Sequence, residues 1–158
     1  MSYRKSTGFS LIEIVIAIGV VAGGVAVILA ILPSLIRQNE ESTDLQTALR
    51  LPDAVENRLY AEMNGAFPGD MLEGIVLVAG KEGSNVRPER LLNSPALPAY
   101  FYIEVSVFTT GELTYQLGRL VLPLQVRVAW PYAAVEAAGG PDNSGNFQTT
   151  NFIVTLSP

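Results

Sequence analysis

Gly8-Phe9-Ser10-Leu11-Ile12-Glu13, preceded by Arg4 and Lys5, opens a run that carries no further charge from Ile14 to Ile36. A helix crossing a hydrocarbon core of about 30 Å needs about 20 apolar residues. Phe9 to Ile36, at a rise of 1.5 Å per residue, spans about 42 Å, which leaves length for tilt or for protrusion beyond the bilayer. One residue disturbs the pattern. A carboxylate inside the span costs a few kcal/mol unless it finds a partner, so Glu13 is the residue that requires explanation.

Three readings compete for this N-terminus. A cleaved secretory signal has a basic start, a short apolar core and a small-residue cut site, for which Ala17, Ala22, Ala26 and Ala30 could serve. Against it stand the run length, about twice a usual signal core, and the acid near its start. An uncleaved anchor explains the length and the basic flank but leaves Glu13 without a role.

The third reading is a resemblance. GFSLIEIVIAIGVVAGG, residues 8–24, resembles the class III signal of type IV pilins and type II secretion pseudopilins. In that family a short basic leader ends in Gly, then come Phe, two or three apolar or hydroxyl residues, and Glu as the fifth residue after the cut. Gly8, Phe9 and Glu13 match position for position, and Arg4 and Lys5 supply the leader charge. The resemblance implies that a prepilin peptidase cuts between Gly8 and Phe9 and that the new amino group of Phe9 is methylated. It also implies that Glu13 pairs with the amino terminus of an adjacent subunit and so sets register in a filament. The partners it implies are other pilin or pseudopilin subunits and the inner-membrane assembly platform.

Physical arguments run beside this. Arg4 and Lys5 flank one end of the run, so the positive-inside tendency keeps the N-terminus cytoplasmic and sends the C-terminal part across the inner membrane into the periplasm. After a cut at Gly8, Glu13 lies about one helical turn from a cationic terminus and near the interface, which lowers its burial cost. Gly23-Gly24 and Pro33 fall within the run, and each weakens or bends a helix unless the membrane context tolerates it.

From Arg37 the chain becomes polar through Asp44. Leu45, Ala48-Leu49, Pro52, Val55 and Leu59 then recur at spacings of three and four, which predicts one buried helical face. Pro52 either kinks this helix or starts a second one. Asn64-Gly65 supplies a stop and Pro68-Gly69 a turn. The chain is thus expected to divide into four segments: a leader at 1–8, a membrane helix at 9–36, a soluble helical continuation at 37–64 and a β-rich domain at 65–158.

Within that domain Gly74–Ala79 is a short apolar strand, followed by a turn-rich break at 80–85. Tyr100, Tyr102, Glu104 and Ser106 alternate with Phe101, Ile103, Val105 and Val107, and a turn at 109–112 can lead into the next strand. There Leu122, Leu124, Val126, Val128 and Trp130 alternate with Pro123, Gln125, Arg127 and Ala129. Pro123 predicts an edge or a bulge. A last strand covers about Phe147 to Leu156. The fold class expected is α+β: a long N-terminal helix packed on three or four largely antiparallel strands, which is also the order of elements in the pilin fold.

Composition narrows the function. The 158 residues carry 10 basic and 15 acidic side chains, and setting aside Arg4 and Lys5 leaves eight basic residues, so the exported part is acidic. A broad nucleic-acid-binding patch is disfavoured. There is no His and no Cys, which removes imidazole acid–base chemistry, thiolate nucleophiles and the usual zinc sites, so no enzyme and no cofactor is expected. The missing cysteines also exclude the disulfide loop of many major pilins, which points the resemblance toward a minor subunit. Asp70 with Glu73 reads as turn and solvated surface. Asp142-Asn143-Ser144-Gly145-Asn146 has the oxygen-rich look of a calcium loop, with Asp142, Asn143 and Asn146 as the ligand candidates, but one carboxylate is thin and a turn explains it better. The reading from another class is a membrane-anchored periplasmic binding module in which Glu13 has no assembly role.

Overall fold

The computed structural model describes residues 10–62, 74–89, 98–114 and 120–157. The chain divides into two compact units at Thr43/Asp44. Arg4, Lys5, Gly8 and Phe9 lie outside the described residues, as do Asn64-Gly65, Pro68-Gly69, Asp70 and Glu73.

The first unit is helical. Helix α1, Leu11–Ala48, passes through Gly23-Gly24 and Pro33 without interruption. Proline has no N–H to give the preceding turn. Beside it, the Ser34 hydroxyl donates to the Ile31 carbonyl at 2.8 Å, and farther along the Thr43 hydroxyl donates to the Asn39 carbonyl at 2.8 Å. The helix is long and apolar enough to cross a membrane.

The second unit begins with the last turn of α1. The helical continuation expected over 37–64 is two helices: α1 closes at a turn through Leu49 and Arg50, and α2, Leu51–Glu62, starts there. Pro52 sits in the first turn of α2, where a missing N–H costs nothing. The buried stripe is Asp44, Ala48, Leu51, Val55 and Leu59, while Leu45 and Leu49 are 43% and 60% exposed. The expected face is thus displaced at its start, because an acid with a partner holds the position assigned to Leu45.

Among the described residues five strands form one antiparallel sheet in the order β2-β1-β3-β4-β5: β1 Ile75–Ala79, β2 Arg87–Pro88, β3 Phe101–Val107, β4 Leu122–Trp130 and β5 Gln148–Leu156. This is one strand more than the largest number expected, the addition being the two-residue β2 paired to β1 across the turn at 80–85. The alternation holds. Phe101, Ile103 and Val105, together with Leu122, Leu124, Val126, Val128 and Trp130, are buried and pack with Ala48, Leu51, Val55 and Leu59 in one core. Phe101 and Trp130 are tilted against each other at 5.8 Å. At the far end of this layer the Ser157 N–H donates to the Tyr60 hydroxyl at 3.2 Å.

β4 is an interior strand, contrary to the expectation from Pro123. The β3–β4 register ends at Val107↔Leu124, so Pro123 stands beyond it and pairs with Thr155 of β5. Its missing donor falls where β4 has outrun its neighbour. A third helix not foreseen in the sequence, α3 Tyr132–Ala138, follows Pro131. It lies over the opposite face of the sheet, where Val78, Tyr102 and Ala129 share one row across β1, β3 and β4.

Candidate functional site

The start of α1 is built by four residues. Ser10 is the last residue before the helix, and its N–H donates to Glu13 Oε2 at 2.9 Å while the Glu13 N–H reaches the Ser10 hydroxyl at 3.4 Å. This is a reciprocal capping box, with Ser and Glu three apart. The spacing Ser10-Leu11-Ile12-Glu13 carries that signal in the sequence, and it gives Glu13 a local partner that the reading of charge alone overlooks. From Ile14 to Ile36 the apolar side chains are exposed, Val20 at 70% and Leu29 at 62%. Glu13 is the sole charged residue among residues 11–36.

The loop after α3 is a helix stop. Gly139 has φ 77°, the left-handed conformation that favours glycine, and its N–H donates to the Glu136 carbonyl at 3.0 Å. The Gly140 N–H donates to the Val135 carbonyl at 3.0 Å. Asn143 Nδ2 donates to the Ala138 carbonyl at 2.7 Å, and Asp142 Oδ1 accepts from Arg127. Asn146 is exposed. Of the calcium candidates, then, Asn143 caps a helix and Asp142 holds a guanidinium. No group of three acidic, His or Cys side chains suited to a metal ion occurs among the described residues. Gly145 is needed for space, since a Cβ there would meet the Phe147 ring at 2.5 Å.

Two further arrangements escaped the sequence reading. Asp44, assigned to a polar belt, is buried and accepts from the Tyr100 hydroxyl, with Lys81 Nζ at 3.9 Å and 5.2 Å above the Tyr100 ring. On the face under α3, the Tyr132 hydroxyl donates to Glu89 Oε1 at 3.0 Å, and the Tyr102 and Tyr132 rings lie 6.2 Å apart at 32°. Burial, the hydrogen bond to Glu89 and the charges of Glu89 and Glu136 push the Tyr132 hydroxyl up to about 12. Beside them Arg127 lies 3.5 Å from Glu104 and is bound to Asp142, whose hydrogen bond raises its pKa. The signal for α3 was present in Pro131 followed by an Ala-rich run, a helix start.

Searches against protein-family models, curated proteins and solved structures find no match to this chain.

Proposed function

We propose that the chain is a prepilin-like structural subunit, a minor pseudopilin or minor pilin of a type IV pilus or type II secretion-like filament, working by assembly and not by catalysis. One observation carries this: Glu13 is the lone charge in the apolar stretch 11–36 and is the fifth residue after the Gly8-Phe9 junction, behind Arg4 and Lys5. A helix whose apolar side chains are exposed all round needs lipid or other helices as its surroundings. In this reading prepilin peptidase removes residues 1–8, Phe9 is methylated, and Glu13 meets a neighbouring subunit's terminus. The chain spans the inner membrane once, N-terminus cytoplasmic and C-terminal domain periplasmic, until the assembly platform moves it into a filament.

Peptide mass spectrometry of the protein from its native membrane, with and without a functional prepilin peptidase, tests this. The expected species begins at methylated Phe9 and disappears without the peptidase. An intact leader in both cases, or a cut after Ala30, overturns it.

The second reading, a membrane-anchored periplasmic binding module, is favoured by the Ser10–Glu13 capping box, which gives the acid a role inside its own helix.

A further inference from the structure

The face of the sheet under α3 carries a cavity of about 240 Å³ lined by Glu89, Tyr102, Tyr132, Val135, Glu136, Gly139 and Gly140. Its chemistry is mainly that of acceptors. The Tyr132 proton is given to Glu89, and the N–H groups of Gly139 and Gly140 are given to carbonyls at the end of α3. The side chains that line it are two carboxylates, two tyrosines and Val135, so that, with the Tyr102 hydroxyl as its one side-chain donor besides that of Tyr132, it offers mainly acceptors and π-faces. The charges acting on Tyr132, Glu89 and Glu136, are both negative.

We propose that this cavity binds one alkylammonium or guanidinium group, with the cation between Glu89 and Glu136 and its stem against the rings of Tyr102 and Tyr132. The same face already holds such a group beside it, the Arg127 guanidinium between Glu104 and Asp142. Arg127 does not line the cavity. The volume is below the roughly 300–1,000 Å³ of sites for drug-sized ligands, which suits the head of one side chain or a simple amine. The site does not depend on the assembly reading, since small soluble probes report on it directly.

The test uses the full chain in zwitterionic detergent with ¹³C-labelled tyrosine rings, titrated with acetyl-Gly-Lys-Gly-amide, with n-butylamine and with the norleucine counterpart of the peptide. Saturable shifts of the Tyr102 and Tyr132 signals are expected with the first two and not with the third. Binding should weaken at least about tenfold in Glu89→Gln/Glu136→Gln, where two charge-assisted contacts are lost. Glu136→Gln alone changes an exposed side chain, leaves the Tyr132–Glu89 bond in place, and should weaken binding severalfold. Tighter binding of the peptide supports the site with a partner protein's side chain as its source, and tighter binding of butylamine supports it with a free amine. Absence of saturable shifts, equal binding of the norleucine peptide, or indifference to both variants overturns the proposal.

Discussion

The Tyr100 hydroxyl donates to Asp44 Oδ2 at 2.5 Å, joining residues 56 positions apart. Asp44 is 7% exposed and lies on the buried stripe of α1, so its charge is tolerated there because Tyr100 and Lys81 face it.

Tyr100→Phe keeps the ring and removes the donor, leaving the buried carboxylate with Lys81 at 3.9 Å. The loss should be about 1–3 kcal/mol, read as a lower denaturation midpoint with unchanged slope. Lys81 is 59% exposed, so Lys81→Ala should cost under about 1 kcal/mol. A larger loss from Lys81→Ala than from Tyr100→Phe would show that the salt bridge, and not the hydroxyl, holds Asp44.

Ser10 and Glu13 separate capping from assembly. Ser10→Ala should loosen the first turn of α1 by about 1 kcal/mol, seen as faster amide exchange there, with filament incorporation retained. Glu13→Ala should insert normally in the membrane and fail to enter filaments. If Glu13→Ala matches Ser10→Ala in amide exchange and leaves function intact, the acid is a helix cap and the anchored-module reading stands.

Tyr132 should contribute stability that is lost in alkaline solution. Its folded pKa, about 12, lies above the unfolded value of 10.0, so the folded state keeps the proton when the unfolded chain has lost it. The unfolded state then binds fewer protons, and stability falls as pH rises from about 10 to about 12, with the contribution fully present below 10. Denaturation midpoints across this window should fall more steeply for the wild type than for Tyr132→Phe. Parallel curves would refute the assignment.

Calcium should leave the melting temperature unchanged at millimolar concentration. Asp142 is engaged by Arg127 and Asn143 caps α3, so a cation would have to displace both. A rise of several degrees would restore the calcium loop.

Periodicity made the layers of the second unit legible. Phe101, Ile103 and Val105 and the set Leu122, Leu124, Val126, Val128 and Trp130 land together on one face, because that side of the sheet is covered by α2 and the last turn of α1, while Pro123 and Ala129 of the other set are buried as well. What failed were positions where tertiary partners override local pattern. Asp44 displaces Leu45 from the buried stripe through a hydroxyl far away in sequence. Pro123 sits in an interior strand because β3 ends before it, a matter of strand lengths that one segment cannot reveal. The cavity under α3 draws Glu89, Tyr102 and Glu136 from three separate stretches. At the N-terminus the Ser10–Glu13 capping box was present in the spacing of those two residues and was passed over because the reading attended to charge alone.

The Asp44–Tyr100 bond also has a mechanical meaning. Within the second unit it ties the last turn of α1 to Tyr100, the residue before β3. β3 is clamped on both sides, by β1 and by β4, so a pull on it meets two ladders at once. A tether on an outer strand would peel one ladder, bond by bond. The Asp44–Tyr100 bond thus fastens the end of α1 to the middle of the sheet and not to its rim.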